Sequence, residues 1–404
     1  MESTGPLNDL RVLDCSAGVP GAYCAKLLAD LGADVLKAEP PGGDVTRRLG
    51  PFPGDAPHPE KSGLFLYLNP NKRGVTLDSH TPGGRAILRR LAERVDILIE
   101  DHPPDEAARR GLGFDALSEV NPELILTSVS PFGQIGPYRA WTITDLIAFH
   151  MGGSGYETPQ HGVASLEEPP LRAGGYQADY LAGVVGAAAT MGGVFARRNS
   201  GRGLHVDVSR WESLVGIMTR INLHQWTYEG EEPDRRMSTE RLQNHVPCKD
   251  GYINLLIYEP HWWRNLVEAM GTPEWTQDPL FQNADFRAQG WDAVQPLIEA
   301  WAMDYTKDEL FRKLQAAHVP CLPGNTFGDL LESRHLRARG FFVEQEHPAA
   351  GSVVAPGPPY RLQASPWSLR RPAPLLGQHN VEVLCGELGY SREELARLRA
   401  WGMV

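Results

Sequence analysis

A carboxylate set behind glycines is the residue pattern of greatest chemical interest in this chain. In Gly174-Gly175-Tyr176-Gln177-Ala178-Asp179-Tyr180, a flexible glycine turn leads into an Ala/Gly-rich helical stretch, and Asp179 stands at the junction. Two readings fit. Aspartate is favoured as a helix N-cap, where it accepts a backbone N–H and stabilises by about 1 kcal/mol. The same place keeps a carboxylate ionised through the helix dipole and free N–H groups, while the glycines let a substrate approach. Such a carboxylate can act as a nucleophile. The residues alone leave both readings open.

Basic residues gather in loops. Arg47-Arg48 follows Pro41-Gly42-Gly43-Asp44, Asn71-Lys72-Arg73 precedes a strand, Arg109-Arg110 precedes Gly111, and Arg139 follows Gly136-Pro137-Tyr138. Each alone reads as a solvated surface charge; brought to one side of an open sheet, they could hold phosphates. Gly18-Val19-Pro20-Gly21 is either a tight strand-to-helix turn or a backbone approach to a ligand. The chain has no G-x-x-x-x-G-K-[ST], H-E-x-x-H or G-x-S-x-G, and no strict G-x-G-x-x-G after its first strand. No nicotinamide cofactor is expected.

The elements that must position these residues alternate. Leu10–Asp14 reads as a strand, Ala22–Leu31 as a helix closed by Gly32, and Ala33–Glu39 as a strand, a β-α-β unit that implies a parallel sheet. Strands at 74–77, 95–100 and 124–129 and an amphipathic helix at 81–94 continue the pattern. This predicts an open, doubly wound α/β sheet with ligands at the carboxyl ends of its strands. A small-residue helix spans 179–198, a strand 203–208, and a polar stretch 225–247 reads as a linker. Asp250-Gly251 opens a new block, helical patterns run from 261 to 317, and a Pro/Gly-rich stretch from 348 to 374 leads to a final helix at 391–401. Ser391 and Glu394 form a capping-box pair there.

Length and composition bound the rest. At 404 residues, two to three domains are expected, and 42% hydrophobic with 22% charged residues is enough for a large core. The balance of 39 Lys plus Arg against 50 Asp plus Glu gives −11, which argues against nucleic acid as a partner but permits an anionic ligand held by local cations. No signal segment and no apolar run near the roughly 18 residues of a membrane span is evident, so a cytoplasmic protein without a membrane partner is expected. Five cysteines without C-x-x-C spacing imply neither zinc nor disulfides, and no metal is expected.

Taken in order, several segments resemble one family. They include Leu28-Ala29-Asp30-Leu31-Gly32-Ala33-Asp34-Val35-Leu36-Lys37-Ala38-Glu39, Gly42-Gly43-Asp44-Val45-Thr46-Arg47 and Asn71-Lys72-Arg73. Further along come Phe132-Gly133-Gln134-Ile135-Gly136-Pro137-Tyr138, Ala178-Asp179-Tyr180-Leu181-Ala182-Gly183, Gly201-Arg202-Gly203-Leu204-His205-Val206-Asp207-Val208 and Pro374-Leu375-Leu376-Gly377-Gln378-His379. The chain resembles the family III CoA-transferases, whose branches include formyl-CoA and carnitine CoA-transferases and the α-methylacyl-CoA racemases. The resemblance implies that Asp179 is the nucleophile, passing through mixed anhydrides and an aspartyl-CoA thioester, with acyl-CoA and a carboxylic acid as substrates. It implies that Val19, Arg47, Asn71, Lys72, Arg73, Arg109, Gly136, Tyr138 and Gly175 bind coenzyme A. It also implies a Rossmann-like large domain built from both chain ends, a smaller inserted α+β domain, and an interlocked homodimer of two ring-like chains. On that plan 1–215 begins the large domain, 216–248 is a linker, 249–335 is the small domain, and 336–404 is a linker and the return to the large one.

Departures from the family narrow the chemistry. Members that move formyl groups carry a glycine-run lid, whereas Ser238 to Val246 has no glycine, and they carry glutamine where Val19 stands. A formyl-CoA/oxalate activity is therefore not expected. The racemase branch has a histidine where Thr144 stands, and threonine cannot supply the second base that racemisation requires. An acyl-CoA racemase, isomerase or lyase on the same scaffold, or a silent CoA-binding subunit, remain the alternatives. Trp226, Tyr228, Trp262 and Trp263 either line an acyl pocket or pack in a core, and core packing is the expectation.

Overall fold

Alternating apolar strands and helices build a six-stranded sheet. The computed structural model describes residues 5–158, 167–218, 220–230, 243–257, 259–283, 287 and 290–404. Its strands are β1 (Arg11–Asp14), β2 (Asp34–Glu39), β3 (Lys72–Thr76), β4 (Ile97–Glu100), β5 (Ile125–Ser130) and β6 (Leu204–Ser209). They lie in the order β3-β2-β1-β4-β5-β6, all parallel, with Val12 facing Val35 on one side and Ile97 on the other. This is a doubly wound sheet whose strand order reverses between β1 and β4, the place where ligand crevices form.

The two faces of the sheet take alternate residues of each strand, as the period of two demands. Leu13, Leu36, Leu98 and Leu126 pack on one face with Ile87 and Leu88 of α3 (Pro82–Ala92) and with Val383, Leu384 and Leu395 from the chain's end. Val12, Val35, Ile97, Ile99 and Ile125 pack on the other with α1 (Val19–Asp30) and a long helix, Gln177–Ser200. Between these lie, in chain order, α2 (Gly63–Leu68), α4 (Pro104–Arg109), α5 (Phe114–Ser118), α6 (Asp145–Met151) and α7 (Ser154–Glu157), so the long helix is α8. At 24 residues, α8 is by length and composition apolar enough to cross a membrane, contrary to the expectation from the sequence. Its Ala182, Ala187 and Val194 are buried against the sheet, which makes it a core helix in this fold. Small residues permit that packing: a Cβ at Gly183 would lie 2.8 Å from the Pro20 carbonyl oxygen.

The chain divides into two units. The first comprises Met1–Tyr156, Leu171–Glu231 and Gly340–Val404; the second comprises Glu157–Pro170 and Glu232–Arg339. Within the second, β7 (Gln243–Cys248), β8 (Gly251–Leu256) and β9 (Cys321–Pro323) form an antiparallel sheet covered by helices that include Pro260–Ala269 and Trp291–Ala302.

Three local expectations are corrected. The span 216–248, read as a linker, contains α10 (Arg220–Glu229), which follows α9 (Arg210–Ile217), and strand β7. The Pro/Gly-rich stretch from 348 contributes β11 (Gly351–Pro356), paired antiparallel with β10 (Phe342–His347). Trp263 packs in the second unit's core as expected, but Trp226 and Tyr228 are 52% and 84% exposed. The final helix, Arg392–Ala400, carries the expected Ser391–Glu394 capping box.

Candidate active site

Asp179 does not cap its helix. The N-cap of α8 is Tyr176, reached through Gly175 at φ +82°, a left-handed turn that glycine adopts without strain. That places Asp179 third in the helix, and its backbone N–H donates instead to Asp145 Oδ1 at 3.1 Å. Asp145, the first residue of α6, also receives Arg172 Nη2 at 3.1 Å on its other oxygen, and Arg172 in turn donates to the Gly175 carbonyl at 2.8 Å. A carboxylate from 34 positions earlier thus does the capping, and the Asp179 side chain is left over. No local sequence signal announces that exchange.

The surplus carboxylate is buried, at 7% exposure. Arg210, first residue of α9, places Nη1 3.0 Å from Asp179 Oδ1 and donates to the Ile143 carbonyl at 3.0 Å. The contact with Asp179 is an ion pair without hydrogen-bond alignment: among the described residues neither Asp179 Oδ1 nor Arg210 Nε has a hydrogen-bond partner. The dipole argument from the sequence anticipates a carboxylate that ionises readily. Burial instead pushes Asp179 up to about 6, with Arg210 opposing and Asp145 and Asp101 adding to the rise. Beside it, Phe132, Ile143, Phe149 and Leu214 form an apolar cluster edged by Tyr138 and Trp211. A carboxylate of this kind is dry, half-neutral near pH 6 and short of partners, as a nucleophile awaiting an electrophile is.

A cleft opens where the strand order reverses. Cys15, Ser16, Ala17, Pro40, Leu77, Ser79, His102, Arg110 and Leu112 line it, from the carboxyl ends of β1, β2, β3 and β4. Asp101 connects the cleft to Asp179. It accepts the backbone N–H of Ala17 at 2.7 Å and of Gly21 at 3.3 Å, and so caps α1, which runs along α8. Glu100 lies directly before it, and burial pushes that carboxyl up to about 8 against the pull of hydrogen bonds from Ser128 and the His102 N–H. It therefore carries little negative charge at neutral pH. Arg110 is among the loop cations noted in the sequence; Ser16, Ser79 and His102 are not, and their shared signal is position, each following a strand.

Several of the expected anion-binding residues make their side-chain contacts within the fold. Arg47 spends its donors on Glu39 at 2.6 and 2.8 Å, Glu60 at 2.7 Å, and the carbonyls of Pro59 and Pro374, with its guanidinium 3.6 Å over the Phe65 ring. Lys72 gives its three to Asp14, the Ala22 carbonyl and Asn69, all within 2.9 Å. Asn71, at φ +63°, accepts the N–H of Arg370 and Arg371 and donates to Asp30 and the Ser368 carbonyl. Arg73 bridges Asp34, Glu382 and Glu387. Buried carboxylates such as Asp14 and Glu39 face Lys72 and Arg47, because a buried charge must be paired. Val19 is buried in an apolar cluster with Ala22, Leu64 and Leu68. Tyr138 stacks on Trp141 at 4.3 Å beside the apolar cluster near Asp179. Gly136 and Gly175 have open space where a Cβ would be. Arg109 is exposed and paired with Glu106 at 2.7 Å. Among the described residues no group of three or more His, Cys, Asp or Glu is placed to hold a metal ion.

A doubly wound α/β sheet with a cleft at its strand ends is a fold that hosts many enzymes handling nucleotide cofactors. The particular family follows from comparison: the CoA-transferase family III model matches residues 7–380, and the chain belongs to that family. It is 32% identical to the formyl-CoA:oxalate CoA-transferase of Streptomyces avermitilis, over 99% of this chain and 100% of that protein. It is 33% identical to the succinyl-CoA–D-citramalate CoA-transferase of Chloroflexus aurantiacus, over 98% of this chain and 97% of that protein. The crystal structure of a CAIB/BAIF family protein from Brucella suis superposes with a TM-score of 0.84 at 25% identity, covering 95% of this chain and 99% of that one. Rv3272 from Mycobacterium tuberculosis shares the fold at a TM-score of 0.77 and 24% identity, over 93% of this chain and 98% of that one. The chain is therefore a CoA-transferase.

Proposed function

We propose that this protein moves coenzyme A from an acyl-CoA donor to a carboxylic acid acceptor through an aspartyl-CoA thioester on Asp179. The observation that carries the reading is the spare carboxylate: Asp145 takes the capping duty at α8, leaving Asp179 buried with an oxygen unbonded. In the first step Asp179 attacks the thioester carbonyl, the C–S bond breaks, and CoA leaves as thiolate. The thiolate then attacks the aspartyl carbonyl of the mixed anhydride and the donor acid departs as carboxylate. An acceptor carboxylate reverses both steps. Because carboxylate and thiolate are simply exchanged, the protein's task is to exclude water and to hold the reacting carbonyl beside positive charge.

The cleft at the strand ends is the assigned seat of the CoA nucleotide, with Arg110 and the loop Cys15–Ala17 along its wall. Pantetheine would reach Asp179 past the start of α1, where Asp101 orders the backbone. A racemase reading is disfavoured at Thr144, whose hydroxyl caps α6 by accepting the Ile147 N–H at 3.4 Å. For the substrate, the glycine-free segment from Ser238 and Val19 in place of glutamine favour an acceptor larger than oxalate, such as the dicarboxylic acid of the Chloroflexus relative. Residues 238–242 of that segment lie outside the described residues. An interlocked homodimer is consistent with apolar side chains left exposed on the helices of this unit: Leu146 and Ile147 on α6, Phe195 on α8, and Leu223 and Trp226 on α10.

The test is intact-mass analysis after a rapid quench. Incubation with succinyl-CoA, oxalyl-CoA or formyl-CoA is expected to leave a covalent CoA adduct that Asp179→Ala abolishes. No adduct with any donor, or an adduct that persists in the variant, overturns the reading.

A further inference from the structure

We propose that Arg210 is the docking residue for the acceptor's carboxylate, holding it beside the carbonyl of the aspartyl-CoA thioester; this rests on the aspartyl-CoA reading. Arg210 is 7% exposed, and its Nη1 lies 3.0 Å from the nucleophile's Oδ1. Among the described residues its Nε has no hydrogen-bond partner, and neither has the facing carboxylate oxygen. A buried polar atom without a hydrogen bond is costly, so two such atoms on one ion pair mark a place that a ligand completes. The other nearby cation, Arg172, is already engaged with Asp145 and the Gly175 carbonyl. Asp145 and Asp101 are the further acids around Asp179, and both accept backbone hydrogen bonds at helix starts.

Charge accounting then assigns the role. In the free enzyme, Asp179 supplies the anion that balances Arg210. When its oxygen bonds to the donor's carbonyl carbon and the C–S electron pair leaves on sulfur, that negative charge passes to the thiolate. When the thiolate bonds to the aspartyl carbonyl and the anhydride C–O bond breaks, the charge leaves on the donor acid. Asp179 is now a neutral thioester, and Arg210 is a buried cation without its counterion. Leaving such a cation unpaired is strongly unfavourable, so a second carboxylate is drawn to the same guanidinium, next to the carbonyl it must attack. A neutral nucleophile gains nothing from that attraction.

The test compares two nucleophiles on the charged enzyme. Wild type, Arg210→Met and Arg210→Lys are loaded with whichever of succinyl-CoA, oxalyl-CoA or formyl-CoA forms the adduct, freed of excess donor, and discharged at pH 7.5. Succinate serves as the anionic nucleophile and hydroxylamine, neutral at that pH, as the control. Expected is at least a tenfold fall in the succinate-to-hydroxylamine rate ratio for Arg210→Met, with Arg210→Lys keeping most of it. Since Asp179 is already a thioester at this stage, its own ionisation does not enter the ratio. An unchanged ratio, an equal loss with both nucleophiles, or no charging of either variant while wild type charges, overturns the role of Arg210. Absence of an adduct in wild type overturns the aspartyl-CoA reading, and this inference with it.

Discussion

At the scale of single residues, what decides function is which charges the fold has already spent. Asp179 is unspent, and its ionisation should therefore be visible in the rate. With its carboxyl pushed up to about 6, the anionic nucleophile is the minority form below that pH. CoA-transfer rates should fall about tenfold per pH unit below about 6, and a rate profile flat to pH 5 would contradict the burial of this group. Arg110, whose Nε donates to Glu106 at 2.7 Å on the cleft wall, and the fully buried Lys72 give a contrast. Arg110→Ala, on the cleft wall, should raise the KM for acyl-CoA several-fold with little change in melting temperature. Lys72→Met, which leaves buried Asp14 with only Lys37 at 3.8 Å and Ser16 as partners, should cost about 3 kcal/mol of stability by chemical denaturation. Sequence reasoning reached Asp179 through its glycine turn and its family resemblance. The carboxylates that face Arg47, Lys72 and Arg73 inside the fold are not legible from the local sequence of those residues. Asp14 and Glu39 end strands of an all-buried sheet, and that position itself calls for buried cations nearby.

At the scale of elements, the pairing of α1 with α8 positions the chemistry. The sheet, its parallel sense and most strand boundaries follow from alternating apolar runs, and these were legible. The capping of α8 by Asp145 was not, since nothing in the intervening residues signals a contact across 34 positions. The hairpin β10–β11 is not legible either, since β11 lies in a stretch dominated by proline and glycine and β10 carries mostly polar residues after Val343. The small residues of α8 were legible as a packing device, and that reading has a signed test. Gly183→Ala should gain about 1 kcal/mol from helix propensity alone. Its Cβ would sit 2.8 Å from the Pro20 carbonyl oxygen, so a net loss of about 1–3 kcal/mol is expected together with a lower kcat as α8 moves off α1. A stabilised Gly183→Ala variant would show that the two helices have room to spare.

At the scale of the whole molecule, the first unit is assembled from segments far apart in sequence. Val383, Leu384 and Leu395 complete one face of the sheet, while Pro374, Ser368, Glu382 and Glu387 satisfy Arg47, Asn71 and Arg73. Truncation after Arg339 should leave that face exposed and those charges unpaired. The shortened chain should show no cooperative thermal transition in circular dichroism; a sharp transition near the full-length temperature would refute this dependence.

The same arrangement constrains the order of events during synthesis. At translation rates of about 5–20 residues per second, the segment that satisfies Arg47, Asn71 and Arg73 emerges from the ribosome on the order of tens of seconds after they do. Until then the nascent large unit carries three cationic or amide side chains aimed at partners that do not yet exist, and an uncovered sheet face beside them. The sheet can pair its strands early, but it cannot seal. Closure of this unit is thus a post-translational event, and the net charge of −11 keeps the waiting intermediate apart from its own copies.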